Sequence, residues 1–167
     1  PFPNYRKYLS IAACFVILLV GTFIVQNRIN QPVEPPIQAA PDIVEYGTVT
    51  ELSEAIGFTV NEIQDIPFNV DTVQYTSYWG ELAEVKYSGQ DNTVVLRMAL
   101  GNEDVSGDFS QYTSIKNHTI NGCDVTIKGN DNKYPLAVWQ DDGFSYAMQF
   151  SEGVSEQEMI AAIESLQ

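Results

Sequence analysis

The sequence predicts an α+β domain: an antiparallel β-meander of about six to seven strands with an N-terminal and a C-terminal helix packed on it. Helix-start patterns lie at both ends of residues 43–167. Between them, apolar residues recur with a period of two, which is typical of half-buried strands. Short Gly-, Asn- and Asp-rich stretches separate these runs, and such short turns can join only antiparallel neighbours. One transmembrane helix is expected before this domain.

Both predicted helices begin with a capping box. The first begins at Thr48 with Glu51 three residues later, and Gly57 suits a left-handed helix end. The second begins at Ser155 with Glu158 in the matching position. Apolar residues then follow at helical spacing, so each helix is expected to bury one side.

The strands are read from alternation and from the turns that bound them. Residues 144–150 and 94–100 alternate most regularly between apolar and polar side chains. The full set of predicted strands is 72–79, 83–87, 94–100, 113–120, 124–128, 135–139 and 144–150.

An uncharged apolar run precedes the domain. Residues 9–25 would span roughly 26 Å as a helix, and the predicted span is 9–26. A cleaved secretory signal and a lipoprotein signal ending at Cys14 are the alternatives. Eleven apolar or small residues follow Cys14 and no suitable cleavage site lies close behind, so a retained span is favoured.

Flanking charge predicts the orientation of this span. Arg6 and Lys7 lie on its amino side and Arg28 on the other, which indicates a cytoplasmic flank at residues 1–8. Residues 27–42 are Pro-rich and predict an extended tether, so residues 43–167 are expected outside the cell membrane. Because the chain opens with Pro1, a further cytoplasmic portion is expected upstream.

Charge and cysteine content narrow the function. Of 8 basic and 22 acidic residues, three basic and two acidic ones precede residue 43, which leaves 5 and 20 in the domain, a formal charge of −15. So acidic a surface disfavours nucleic acid as a partner. Cys14 and Cys123 predict neither a disulfide framework nor a metal site, and no cofactor is expected.

Several strings occur in a recognisable order: ELSEAIGFTV, IQDIPF, ELAEVKYSG, VVLRMALGNEDVSGDFSQY, VTIKG and YPLAVWQDDGFSYAMQF. The domain resembles an uncharacterised extracytoplasmic domain family of Gram-positive, mainly clostridial, bacteria. In that family the domain follows a single membrane span, and some members carry an anti-sigma-type zinc-binding segment on the cytoplasmic side. The resemblance therefore implies a sigma factor as a partner, reached through a cytoplasmic region; the HxxxCxxC pattern of such a segment does not occur in these residues.

Two sets of residues are candidates for binding. Glu103, Asp104 and Asp108 lie in one Gly-containing loop and could supply oxygen ligands to a hard cation, although solvated loop charges are the alternative. Tyr78 and Trp139 are expected on the sheet face away from the helices, where they could contact a ligand. The alternative for these aromatics is a second packing layer beneath residues 103–112.

Catalysis is not expected. His118 is the single histidine, it lies on a predicted strand edge as a solvated side chain, and no sequence neighbour suggests a nucleophile for it. We therefore expect a single-span membrane protein whose extracytoplasmic domain senses or binds a cell-envelope ligand or a protein, in a regulator of the anti-sigma type. The alternative is a non-signalling surface module that binds a hydrophobic or peptide ligand.

Overall fold

The computed structural model describes residues 42–167, which form one sheet with two helices. The elements in chain order are β1 (Ile43–Tyr46), α1 (Val49–Ile56), β2 (Thr72–Tyr78), β3 (Leu82–Ser88), β4 (Thr93–Leu100), β5 (Ser114–Ile120), β6 (Cys123–Asn130), β7 (Lys133–Asp141), β8 (Phe144–Val154) and α2 (Glu156–Glu164). The predicted α+β class is confirmed.

The sheet has eight strands rather than six to seven, and it is not one continuous meander. Its spatial order is β1-β2-β3-β4-β8-β7-β6-β5, with every neighbouring pair antiparallel. Two four-stranded meanders are therefore joined where β4 pairs with β8, for example Leu96 opposite Met148. Local turns determine the hairpins within each meander, but nothing local determines the pairing of β4 with β8.

Both helices pack on the same side of the sheet, here called the helix face; the other side is called the open face. Helix α1 packs on β1, β2 and β3, while α2 packs on β5 and β7. Leu52 of α1 and Met159 of α2 are fully buried in one core with Leu96 and Met148 of the sheet. The predicted amphipathic helices are thus both core elements.

The helix caps follow the sequence closely, with one difference. In α2 the Ser155 N–H donates to Glu158 and the Glu158 N–H donates to the Ser155 hydroxyl, so the predicted box is complete. In α1 the Glu51 N–H donates to Thr48 Oγ1, but the Glu51 carboxylate accepts from Gly47 N at 2.8 Å instead of from the cap residue. Gly57 ends α1 at a φ of 81°, as expected.

The turn between β2 and β3 starts one residue earlier than predicted. The N–H of Glu81 donates to Tyr78 O at 3.1 Å, and Trp79 and Gly80 both have positive φ, 55° and 68°. This is the pattern of a type I′ turn, whose twist suits a hairpin. The predicted strand 72–79 therefore includes one residue, Trp79, that belongs to the turn.

The predicted membrane span at residues 9–26, the flank at 1–8 and the tether up to residue 41 lie outside the described residues. Within residues 42–167, neither helix has the length and apolar character that a bilayer crossing requires.

Candidate functional site

A long connection crosses the open face from β4 to β5 and is called the crossover segment, residues 101–113. Near its start, Gly101 O accepts a hydrogen bond from the Ser145 hydroxyl at 3.0 Å, and Asn102 O accepts one from Gln140 Nε2 at 2.9 Å. Further along, the guanidinium of Arg97 donates to Ser106 O. The crossover segment is therefore attached to the sheet by bonds from β4, β7 and β8.

Arg97 also holds a buried carboxylate. Its Nε lies 2.8 Å from Glu84 Oε2, and Glu84 in turn accepts from the Tyr78 hydroxyl at 3.2 Å. Glu84 is only 8 % exposed, so a cation beside it is needed to offset the loss of hydration. Tyr78, predicted as a ligand contact, is thus on the open face but is engaged by Glu84.

Two of the three carboxylates in the crossover segment, those of Asp104 and Asp108, accept hydrogen bonds from backbone N–H groups of the same segment. Asp104 accepts from Ser106 N at 2.8 Å. The Ser106 side chain first, and its backbone N–H after it, lower the pKa of Asp104 despite the opposing effect of partial burial. Burial raises the pKa of Asp108, but hydrogen bonds from Tyr112 and Ser110 outweigh it, and the pKa is lowered overall. These bonds order the segment.

The three predicted metal ligands do not come together as one set. Glu103 and Asp104 line the cleft described next, whereas Asp108 is bonded to Ser110, Tyr112 and Gln149. In the part of the chain that the structure describes, no group of three or more His, Cys, Asp or Glu side chains is arranged to hold a metal ion.

A cleft of about 580 Å³ opens where the start of the crossover segment meets the ends of β6, β7 and β8. Five carboxylates line it: Glu103, Asp104, Asp124, Asp141 and Asp142. Its lining, all within residues 42–167, contains no Lys, Arg or His. The cleft therefore has a negative potential that favours a positively charged ligand.

A smaller recess of about 110 Å³ adjoins this cleft on the side of α2. Ile163 and Leu166 contribute apolar surface to it, and Asn61 contributes an amide. Four residues line both cavities and form their shared wall: Cys123, Trp139, Asp141 and Tyr146. The combined site thus has a charged outer part and an inner part where aliphatic and polar side chains meet, a mixture found in small-ligand sites.

Two aromatic rings make up much of the shared wall. The rings of Trp139 and Tyr146 stack with their centroids 5.0 Å apart, and the Tyr146 hydroxyl donates to Asn61 Oδ1 at 3.3 Å. Burial, and then the nearby Asp141 charge, raise the pKa of Tyr146. Tyr146 therefore stays neutral, as a hydrogen-bond donor, at physiological pH.

Cys123 does not have the surroundings of a reactive thiol. Burial, followed by a hydrogen bond to Asp141 and the Asp141 charge, raises the pKa of Cys123. A thiol with a raised pKa stays protonated and is a poor nucleophile.

Tyr78 and Trp139, predicted to share a face, lie on opposite faces of the sheet. Register places Tyr78 opposite Leu82 on the open face, and Trp139 opposite Tyr146 on the helix face. Trp139 belongs to the core and is 8 % exposed. Trp139 lines the cleft with Glu103 and Asp104, so the structure brings together three of the five predicted site residues, while Tyr78 and Asp108 lie elsewhere.

The single histidine is half-buried instead of solvated. His118 Nε2 lies 2.9 Å from Glu156 Oε1, and Lys116 Nζ contacts the other oxygen of the same carboxylate. The pKa of Glu156 is lowered, and the hydrogen bond from Lys116 is the largest cause. His118 and Lys116 therefore join edge strand β5 to α2, and neither lines the cleft.

Asp141 and Asp142 line the cleft but are not among the site residues predicted from the sequence. The turns after β5 and β7 both lie at one end of the sheet, because alternate turns of a meander share an end. That rule brings Gly122 and Cys123 near Asp141 and Asp142. The crossover segment, whose path is not local, completes the cleft.

Comparisons of this chain with family models, with curated proteins and with solved structures found no match.

Proposed function

We propose that residues 42–167 form a binding domain, carried outside the cell membrane by the apolar segment at residues 9–26, and that a positively charged ligand binds in the cleft. The observation that carries this proposal is the shared wall of stacked Trp139 and Tyr146 between five carboxylates and the recess that Ile163 and Leu166 line. A cationic group would lie among the carboxylates, and an apolar group would reach the recess.

Charge supports a cationic ligand over an anionic one. Residues 43–167 have a formal charge of −15, and the lining of the cleft adds no compensating cation. An anion would be repelled during approach and would lose hydration without gaining a partner. A cationic amine or guanidinium would gain both approach rate and contact.

Binding without catalysis fits the chemistry of the lining. The Cys123 thiol has a raised pKa, and His118 lies on β5 in contact with Glu156. The cleft thus offers no activated nucleophile with a base beside it. We therefore propose recognition as the role of this site.

In this proposal the domain senses its ligand on behalf of a regulator of the anti-sigma type, with a sigma factor as the cytoplasmic partner. The proposed signalling to a sigma factor is based on the family resemblance and on the predicted span. The second candidate is a surface module without signalling that holds a peptide or hydrophobic ligand, and the aliphatic side chains of Ile163 and Leu166 in the recess favour it.

Binding can be followed through a single tryptophan. The chain has two tryptophans, so Trp79→Phe leaves Trp139 as the sole reporter. Phenethylammonium should change the Trp139 emission with saturation, and phenylacetate, of similar shape but opposite charge, should not. An equal response to both compounds, or a response to neither, would contradict the proposed site.

Charge-removing variants locate the bound cation. Asp141→Asn should weaken phenethylammonium binding several-fold, because Asp141 lines both cavities. Asp91→Asn is the matched control: it removes the same charge from the β3–β4 turn at the other end of the sheet. Equal weakening by the two variants would indicate a general charge effect without a cleft site.

Topology needs a separate test in intact cells. A variant with Cys14→Ser, Cys123→Ser and Gln90→Cys carries one thiol at an exposed position of the domain. A membrane-impermeant maleimide should label it without lysis if the domain is extracytoplasmic. Labelling that appears only after lysis would exclude the proposed orientation.

A further inference from the structure

Strand β1 leaves one edge of the sheet unpaired within residues 42–167. The N–H of Trp79 donates to Asp42 O at 2.8 Å, and these two residues lie opposite each other next to the Ile43–Tyr78 pair. This pattern makes Ile43 and Tyr78 a non-hydrogen-bonded pair of the antiparallel ladder. By alternation, the backbone N–H and C=O groups of Ile43 and Glu45 point away from β2, toward the free edge.

Exposed apolar side chains are also concentrated near this edge. Eight large apolar side chains are exposed within residues 42–167, and five of them lie in or beside β1 and β2: Ile43, Val44, Val70, Val73 and Trp79. Single exposed apolar residues are ordinary, but a concentration along an unpaired strand marks an interaction surface.

The opposite edge of the sheet is protected in a way that β1 is not. Edge strand β5 carries Lys116 and His118, both of which approach Glu156 of α2. Edge charges of this kind, lysine above all, discourage pairing with another strand. In β1 the only charged residue is Glu45, and the strand contains no proline.

Charge around β1 has one sign. Residues 42–85 contain nine acidic residues and no Lys or Arg, so β1, α1, β2 and most of β3 contribute only negative formal charge. A second copy of this chain would bring the same charge to the edge and be repelled. A basic segment would be attracted.

We propose that the free edge of β1 binds an extended basic peptide segment, which adds to the sheet as a ninth strand by β-augmentation. Register places the Glu45 side chain on the open face and Val44 on the helix face, since their partners are Thr76 and Ser77. An added strand therefore matches best when basic and apolar residues alternate, with the basic ones on the open face opposite Glu45. This surface is independent of the cleft.

An eight-residue peptide of alternating Lys and Val is the probe, and its Glu–Val counterpart is the control. The full chain is kept in a mild detergent because of its apolar segment. The Lys–Val peptide should slow amide hydrogen exchange at Ile43 and Glu45 by about tenfold or more at saturation, because those amides gain hydrogen bonds. The β5 amides should not change.

Two substitutions at one position separate backbone bonding from charge. Glu45→Pro removes an outward N–H without touching a bond to β2 and should weaken peptide binding about fivefold or more. Glu45→Gln keeps the N–H and should have the smaller effect. If the Glu45→Pro variant does not form strand β1, the hydrogen-exchange protection measured in the unaltered chain decides the question.

Four results would overturn the inference. They are absence of binding by the Lys–Val peptide, equal binding of the Glu–Val peptide, protection at β5 or in the cleft in place of β1, and binding unaffected by Glu45→Pro in a folded variant. Self-association that protects Ile43 and Glu45 without peptide would assign the edge to a second copy of the chain.

Discussion

The indole of Trp139 and the phenol of Tyr146 stack almost in parallel, with 5.0 Å between ring centroids and 3° between ring planes. They face each other across the β7–β8 pair and line both the cleft and the recess. Stacked rings bury large areas and keep a definite geometry. The same pair therefore contributes to the core and forms the wall of the proposed site.

Truncation of either ring of this pair should change the free energy of unfolding. Trp139→Ala should lower the free energy of unfolding by about 3–5 kcal/mol, because it removes a nearly buried ring and leaves a cavity. Tyr146→Phe keeps the stack and loses only the 3.3 Å bond to Asn61, so it should cost about 1 kcal/mol or less. Urea denaturation followed by circular dichroism measures both. Similar costs for the two variants would show that the stack is unimportant.

Arg97 should matter both for stability and for the crossover segment. Arg97→Met leaves the Glu84 carboxylate, 8 % exposed, without its cation and should cost about 2–4 kcal/mol. It also removes the bond to Ser106 O, so limited proteolysis should cut residues 101–113 faster. The double variant Arg97→Met, Glu84→Gln is the control, since it should recover stability but not protease resistance. Recovery of both would mean that Arg97 does not hold the segment.

Acid should destabilise the domain through carboxylates whose native pKa lies below the ordinary value. Hydrogen bonding from Ser106 lowers the pKa of Asp104, a bond from Lys116 lowers that of Glu156, and bonds from Ser155 lower that of Glu158. A lowered native pKa stabilises the folded state above the unfolded-state pKa, 3.8 for Asp and 4.5 for Glu, and this contribution is lost as the pH falls through the native values.

The free energy of unfolding should therefore fall steadily below about pH 4.5. Urea titrations at a series of pH values measure it. Glu158→Gln removes one of these carboxylates and should reduce the slope against pH between about 3 and 4.5. A stability that stays constant to pH 3 would contradict the assignment.

A substitution in the β2–β3 turn should raise the free energy of unfolding. Trp79 has a φ of 55° and is 59 % exposed, a conformation that costs a bulky residue free energy and that Asn adopts readily. Trp79→Asn creates the favoured Asn-Gly pair with Gly80 and should raise the free energy of unfolding by about 1 kcal/mol. Trp79→Phe keeps the strain and should leave stability near its original value. Loss of stability in the Asn variant would mean that contacts of the indole outweigh the strain.

Local features were predictable because their causes are local. Thr48, Gly57 and Ser155 mark helix ends through bonds that span three to four residues, and the structure keeps all three. Alternation placed Leu96 and Met148 in the core. Strand β1 escaped prediction because four residues are too few to show a period, and it forms only by pairing with β2.

The site was only partly predictable, and the reason is geometric. Glu103, Asp104 and Trp139 were candidates from their chemistry, but for two different sites. The register of β7 against β8 turns Trp139 to the helix face, and the path of the crossover segment brings Glu103 and Asp104 to the same cleft. A one-residue change of register would reverse which face each side chain occupies.

The amino-acid sequence by itself determined the class of the domain, both helices, most strands, the acidic charge and the apolar segment at residues 9–26, because each depends on neighbouring residues or on composition. Tertiary structure alone decided that β4 pairs with β8, that Trp139 stacks on Tyr146, and that five carboxylates share one cleft. Those contacts join residues far apart in the chain. These contacts form because of packing interactions summed over the whole core, and no short stretch of sequence is enough to predict them.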